Sequence, residues 1–238
     1  MPDINPIPHQ TPIPQPATPV LSQERALLPD EIILGYTEAQ ADTWYHANYQ
    51  LNKDFTKATR KLVSQLLDDH RVLIVDVMTR VKKHASFIDK LKRKQQKYRT
   101  FSDCADICGC RIICVTSAQI EEVVSIIREQ FKITEEFWRE PAIDKFGYRS
   151  YHMMIELSDA RKVLSEYTRF QSSKCELQIR TAFQEAWSAL DHKVKYKPEA
   201  AADPVIIRDL QRVAALVELA DKEWETIYNK IWGVAKND

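Results

Sequence analysis

Residues 175–181 read Cys-Glu-Leu-Gln-Ile-Arg-Thr. Apolar Cys175, Leu177 and Ile179 alternate strictly with Glu176, Gln178 and Arg180. A strand turns successive side chains to opposite faces, so this run reads as a strand with one face in a core. Its other face carries a carboxylate, an amide and a guanidinium in a row, a rigid platform for a metal-bound, anionic ligand. The competing reading is an ordinary half-exposed strand with solvated polar residues. After Thr181 the spacing of Phe183, Trp187 and Leu190 turns helical, ending near Lys197-Pro198.

Working back from there, DKFGYRSYH at 144–152 combines Gly147 with an aromatic face on Tyr148 and polar groups on Arg149 and His152. Tyr148 has the chemistry of a stacking platform for a base; a packed turn is the alternative. Tyr151–Leu157 reads as a strand that brings this turn beside the sheet. Phe131 to Trp138 reads as another, preceded by a helix to about Gln130 that Thr116 and Gln119 open as a capping box. SDCADICGCRIIC, 102–114, reads as a short helix, a glycine break and a strand, with Asp106 before the break and Arg111 after it. Its four cysteines are not arranged in CxxC pairs and mix helix and strand phases. They read as small buried residues rather than zinc ligands.

Farther upstream the chain is basic. Between Arg80 and Arg99 nine Lys or Arg accompany one acid, Asp89, although the formal net charge of the chain is zero. In RVKKHASFIDKLKRK, Ala85, Ile88 and Leu91 recur at helical spacing and leave Lys82, Ser86, Lys90 and Arg93 to the other side. Steps of i, i+4 stack 82, 86 and 90 on one face. Two ammonium groups and a hydroxyl so placed would cradle a polyphosphate; a solvated basic face is the alternative. Val72 to Val81 is a β-branched-rich strand interrupted by Asp76. Before it, Thr37 and Gln40 are spaced as a capping box for a helix to about Asp69, with Tyr45, Tyr49, Phe55, Leu62 and Leu66 on the core side.

The ends differ. Residues 1–29 hold eight of the 11 prolines without periodicity and read as a disordered tail. Asp203 to Lys230 is an amphipathic helix with a stripe of Leu210, Val213, Leu216, Val217 and Leu219, which caps the core or makes an oligomer contact. With 238 residues and 44% hydrophobic content, one sizeable core with a helical appendage is expected. Zero net charge excludes a global field for nucleic acid or membrane, and no run has the apolar length of a membrane span. Five clustered cysteines without a secretory signal imply a reducing cytoplasm. Gly109 and Gly147, two of only four glycines, lie inside polar motifs and are expected at a close backbone approach or an unusual dihedral.

RVKKHASFIDKLKRK, DICGCRI, GYRSYH and ELQIRT followed by WSALDHKVKYK resemble, in order and spacing, the synthetase domain of RelA/SpoT-like alarmone synthetases, from about Leu73 to Lys197. At this length the resemblance is to a small synthetase without the hydrolase and regulatory domains of the long members. It implies an α+β fold, a nucleotidyltransferase-like mixed β-sheet of about five strands flanked by helices, with N- and C-terminal helical extensions. The implied divisions are a Pro-rich tail over 1–29, an N-terminal helical extension over 30–70, the synthetase domain over 71–198 and a C-terminal helical extension over 199–238.

The implied reaction is magnesium-dependent transfer of the β,γ-diphosphate of ATP to the ribose 3′-hydroxyl of GDP or GTP, giving (p)ppGpp and AMP. Carried over by position, Arg80 would stack on or clamp the adenine, and Lys82, Ser86, Lys90 and Arg111 would hold the donor phosphates. Asp106 and Glu176 would bind magnesium, and Glu176 would also accept the proton of the attacking hydroxyl. On the acceptor side, Tyr148 would stack on the base and His152 would contact phosphate, with Lys145 and Arg149 beside them. Gln178 and Arg180 would line the site and support Glu176.

One departure touches the acceptor. Guanine-using members read a Lys, a spacer and an Asn before the Gly-Tyr, where this chain has Asp144, Lys145 and Phe146; Tyr151 replaces the more usual Leu. An alternative is therefore a toxic relative, kept in check by an antitoxin, that pyrophosphorylates an adenosine nucleotide or the 3′ end of tRNA. A non-catalytic RNA-binding module is a third reading, although a pure binder has no need of Asp106 and Glu176 beside the basic groups. Family resemblance also raises a homo-oligomer built through the terminal helices.

Overall fold

The computed structural model describes residues 36–94, 98, 100–143, 145–147, 149–195, 199 and 203–233. The Pro-rich tail, Asp144, Tyr148 and the Lys197-Pro198 helix end fall outside these residues. Strands β1 (Ile74–Val81), β2 (Cys108–Cys114), β3 (Phe131–Arg139), β4 (Ser150–Leu157) and β5 (Cys175–Thr181) form one sheet in the order β1-β2-β5-β4-β3. β2 and β5 run parallel, and the other neighbours are antiparallel. The helices are α1 (Glu38–Asp69), α2 (His84–Arg93), α3 (Ala118–Gln130), α4 (Asp159–Lys162), α5 (Ala182–Lys195) and α6 (Pro204–Trp232). The result is the expected mixed sheet with terminal helices. Among the described residues, no helix is long and apolar enough to cross a membrane.

Alternation along the strands sorts the sheet into two faces. One presents Val77, Cys110, Ile112, Met153, Ile155, Leu177 and Ile179 to Phe55, Val63 and Leu67 of α1 and to Val123, Val124 and Ile127 of α3. Each large aliphatic side chain buried there stabilises the fold by roughly 1.5–3 kcal/mol. All five cysteines are reduced and buried. Burial pushes the Cys108 thiol up to about 11 and those of Cys104, Cys110 and Cys114 to about 12, so they act as inert packing groups. A second cluster, with Ala41, Tyr45, Phe87, Ile88, Leu91 and Phe101, seats α2 on the first turns of α1.

Thr37 and Gln40 form the expected reciprocal capping box at the start of α1. Other local expectations need correction. Tyr49 on α1 is exposed rather than core-facing. β1 begins at Ile74, and Asp76 marks a register shift against β2. Lys82 precedes α2, with its N–H donating to the Ile107 carbonyl, so it shares no helical face with Ser86 and Lys90. Within α2, Ala85 is exposed and Phe87 takes the core position. Gly109 is no break: it lies within β2 opposite Arg80, and neither it nor Gly147 needs a positive φ. Gln119 accepts from the N–H groups of Val115 and Thr116, but α3 starts at Ala118 without the reciprocal box. On α6 the burial centres on Ala214 and Asp221, leaving Val213, Leu216 and Leu219 exposed.

Candidate active site

The face of the sheet opposite the core is polar because register lines up the alternate positions of neighbouring strands. Arg80, Gly109 and Glu176 pair across β1, β2 and β5; in the next row, Met78, Arg111, Gln178 and His152 pair through to β4. Asp106 sits in a 3₁₀ turn, Ala105–Ile107, that leads directly into β2. Parallel pairing of β2 with β5 therefore brings Asp106 to the same sheet end as Glu176.

Two lysines converge on Asp106. Oδ2 lies 3.0 Å from Lys82 Nζ and 2.6 Å from Lys90 Nζ. Burial pushes the carboxyl up, but the two ammonium groups outweigh it and hold Asp106 below the usual carboxylate range. Burial acts downward on Lys90, and its bond to Asp106 carries it above the ordinary lysine value. Asp106 and Lys90 are thus ionised at neutral pH.

Glu176 is held from two sides. Its Oε1 is 2.9 Å from His152 Nδ1, and its Oε2 accepts from Gln178 Nε2 at 3.2 Å. Burial again acts upward, and the His152 contact outweighs it, keeping Glu176 below its ordinary value. His152 is itself buried, with its ring stacked on Phe137 at 5.3 Å.

Asp106 and Glu176 line one small cavity of about 90 Å³, with Arg80, Gly109, Arg111 and Gln178 among its other walls. Arg80, Arg111 and Gln178 also line a larger cleft of about 810 Å³, which extends past Arg139, Lys145 and Phe146 to Ser188 and His192 of α5. The cationic walls suit a polyanion. Two oxygen-donating carboxylates at one cavity fit a hard divalent cation, which takes one or two carboxylates and completes its shell with phosphate oxygens or water.

Sequence reasoning missed Glu185. From the first turn of α5 its Oε1 accepts from Arg111 Nη1 at 2.7 Å, and its Oε2 lies 2.6 Å from Arg180 Nη2. Arg180, expected to line the site, does border the cleft but is only 1% exposed. The available signal was that Glu185 is the first acid after a polar row ending in Arg180, on a helix that must turn back over that row. Other predicted residues lie farther out. Ser86 is exposed on α2, and Lys145 is exposed at the cleft. Arg149 approaches Glu140 at 3.6 Å and stacks over Trp138, outside both cavity linings. Tyr148 is outside the described residues.

Comparison with known proteins gives the family of the chain. The model of the region found in RelA/SpoT proteins matches residues 79–201, more than half of the chain. The chain belongs to the RelA/SpoT family. This RelA/SpoT chain is 30% identical over 152 residues to GTP pyrophosphokinase YwaC of Bacillus subtilis (strain 168), covering 61% of itself and 69% of that protein. It is 29% identical over 166 residues to GTP pyrophosphokinase YjbM of the same organism, covering 69% of itself and 76% of the relative. Among solved structures, small alarmone synthetase 2 from Bacillus subtilis aligns with a TM-score of 0.64 at 26% identity, over 78% of this chain and 98% of that one. Of the four RelA/SpoT-like motifs, the matched region takes in Lys82, Lys90, Asp106, Arg111, His152 and Glu176, the residues that form the polar face.

Proposed function

We propose that this chain is an ATP-dependent pyrophosphokinase that transfers the β,γ-diphosphate of ATP to the ribose 3′-hydroxyl of GDP or GTP. The observation that carries the reading is the pair of oppositely supported carboxylates, Asp106 with its two lysines and Glu176 with His152, at one cavity joined to a cationic cleft.

In the step, the acceptor 3′-oxygen bonds to the β-phosphorus of ATP. The bond from that phosphorus to the α,β-bridging oxygen breaks, and AMP leaves. Such a transfer needs positioning and charge neutralisation more than covalent help. Lys82 and Lys90 exchange Asp106 for donor phosphate oxygens, with the Ser86 hydroxyl beside them. Arg80 lies against the adenine, and Arg111, aimed by Glu185, steadies the phosphates. Asp106 and Glu176 would hold magnesium, which would supply charge neutralisation at the donor phosphates. Glu176, ionised and fixed by His152 and Gln178, takes the proton of the attacking hydroxyl. Lys145, Arg149 and Tyr148 serve the acceptor. The buried, reduced cysteines suit a cytoplasmic setting, and the exposed apolar side chains of α6 support self-association.

Phe146 at the cleft wall supports a second reading of the acceptor. An aromatic ring there in place of an amide suits an adenosine nucleotide or the 3′ end of tRNA, and with it a toxin and its antitoxin. The test is to incubate the chain with γ-labelled ATP, magnesium, and GDP, GTP, ATP or deacylated tRNA in separate reactions. Label in a guanosine product with release of AMP is expected, and Glu176→Gln should lose about 3 kcal/mol of transition-state stabilisation, or ~100-fold in rate. Label confined to tRNA or an adenosine product would establish the second reading. Unchanged turnover in Glu176→Gln would refute the assigned chemistry.

A further inference from the structure

Away from the cleft, Asp42, His46 and His84 meet at the seam between α1 and α2. Asp42 and His46 stand one helical turn apart and share a face of α1. His84 is the first residue of α2, brought there by the packing of Phe87, Ile88 and Leu91 with Ala41 and Tyr45. Nε2 of His46 lies 3.3 Å from Asp42 Oδ1, and Nε2 of His84 lies 3.0 Å from the same oxygen. All three ligand atoms fall within 4.8 Å of one another. The two imidazoles face each other, 5.3 Å between centroids and 27° between planes.

A hydrogen-bonded cluster accounts for only part of this geometry. His84 Nε2 is buried and, among the described residues, has no hydrogen-bond partner; the 3.0 Å approach of Asp42 does not make one. A buried nitrogen left this way calls for something that completes it. A tetrahedral ion with ligand bonds of ~2.0–2.1 Å holds its ligand atoms about 3.3 Å apart, close to the two separations seen here. Two imidazole nitrogens and a carboxylate oxygen are ligands for a borderline-soft ion, in contrast to the all-oxygen pair at Asp106 and Glu176. Partial exposure of Asp42 and His46 leaves an entry path and room for water as a fourth ligand. Asp42 and His46 lie before residue 79, outside the matched RelA/SpoT region.

We propose that Asp42, His46 and His84 bind a divalent transition-metal ion of the zinc class, clipping the start of α1 to the start of α2. α2 carries Lys90, the partner of Asp106, so the ion fixes the basic helix from its far end. The test uses the untagged full chain, stripped of metal, titrated with Co²⁺ and then Zn²⁺. One equivalent of cobalt should give visible ligand-field absorption without a thiolate charge-transfer band, and zinc should displace it. Zinc at about a hundredfold excess over its Kd should raise the Tm by about 5–10 °C. Asp42→Asn, at a half-buried position, and His46→Ala, at an exposed one, should bind cobalt ~100-fold more weakly while keeping the far-UV circular dichroism of the parent. Equal cobalt affinity in His46→Ala would overturn the site. So would a thiolate charge-transfer band, which would send the metal to the cysteines, or an absence of binding to the folded parent. These readouts do not depend on synthetase turnover, so the two proposals fail separately.

Discussion

Glu185→Gln probes the part of the site that no motif announced. The wild-type carboxylate serves two guanidinium groups, Arg111 at 2.7 Å and Arg180 at 2.6 Å. Glutamine keeps the volume and one acceptor oxygen, but it loses the charge and turns an NH₂ toward a cation. Arg180 is 1% exposed and would lose the charge of this carboxylate in a buried setting. Removing one partner of a buried ion pair costs ~3–5 kcal/mol, mostly the penalty of the stranded charge. Arg111 is 23% exposed, and its share is reduced by solvent screening. For a chain of this size each kcal/mol moves the Tm by about 2–4 °C, so a drop of roughly 6–20 °C is expected by circular-dichroism melting. Arg111→Ala should lower stability far less. In the double variant Glu185→Gln with Arg180→Met, much of the loss should return, because the buried charge that Glu185 balances is removed with it. A fall in Tm below about 2 °C in Glu185→Gln would refute the idea that this carboxylate anchors both arginines.

The remaining predictions concern the two carboxylates. Asp106 and Glu176 both titrate below their ordinary range, so the stability they supply is complete above the unfolded carboxylate values near ~4 and is lost as pH falls through the lower folded values. Urea midpoints measured from pH 5 to pH 2 should fall for the wild type, and Asp106→Asn should flatten that limb; an unchanged slope would contradict the lysine-held ion pair. His152→Phe keeps the stack on Phe137 but removes the partner of Glu176. If Glu176 holds magnesium as proposed, steady-state kinetics should show kcat down by about 10–100-fold with KM for ATP little changed, the usual cost of losing a residue that orients a metal ligand. A rise in KM alone would place His152 on substrate instead.

Period-two alternation was enough to locate β5, Cys175–Thr181, because apolar and polar residues trade places from Cys175 to Arg180 without an exception. The capping box of Thr37 and Gln40 set the start of α1 for the same kind of reason, since its partners are three residues apart. Gly109 misled because an isolated glycine reads equally as a break or as a strand residue beneath a neighbour's side chain, here that of Arg80. Lys82 misled because helical spacing from Lys90 ignores the backbone bond to Ile107 that holds it outside α2. Arg180 looked solvent-facing by alternation, whereas α5 folds back over that end of the strand and Glu185 meets it there. Periodicity describes a face of one element; which other element covers that face is decided by tertiary packing.

The strand order has a consequence for how this enzyme comes into being. β1 with β2 and β3 with β4 are antiparallel pairs between successive strands, but β5 alone joins the two halves, inserting between β2 and β4. Everything from α3 to α4 is threaded before that keystone is laid. A nascent chain that has emerged only through β4 can display Asp106 and both lysines, yet it contains no Glu176 and leaves an edge of β2 unpaired. Non-local strand pairing of this kind is slow to form, because the loop must close before any contact rewards it. The polar face that joins Asp106 to Glu176 is therefore completed by the same event that closes the sheet.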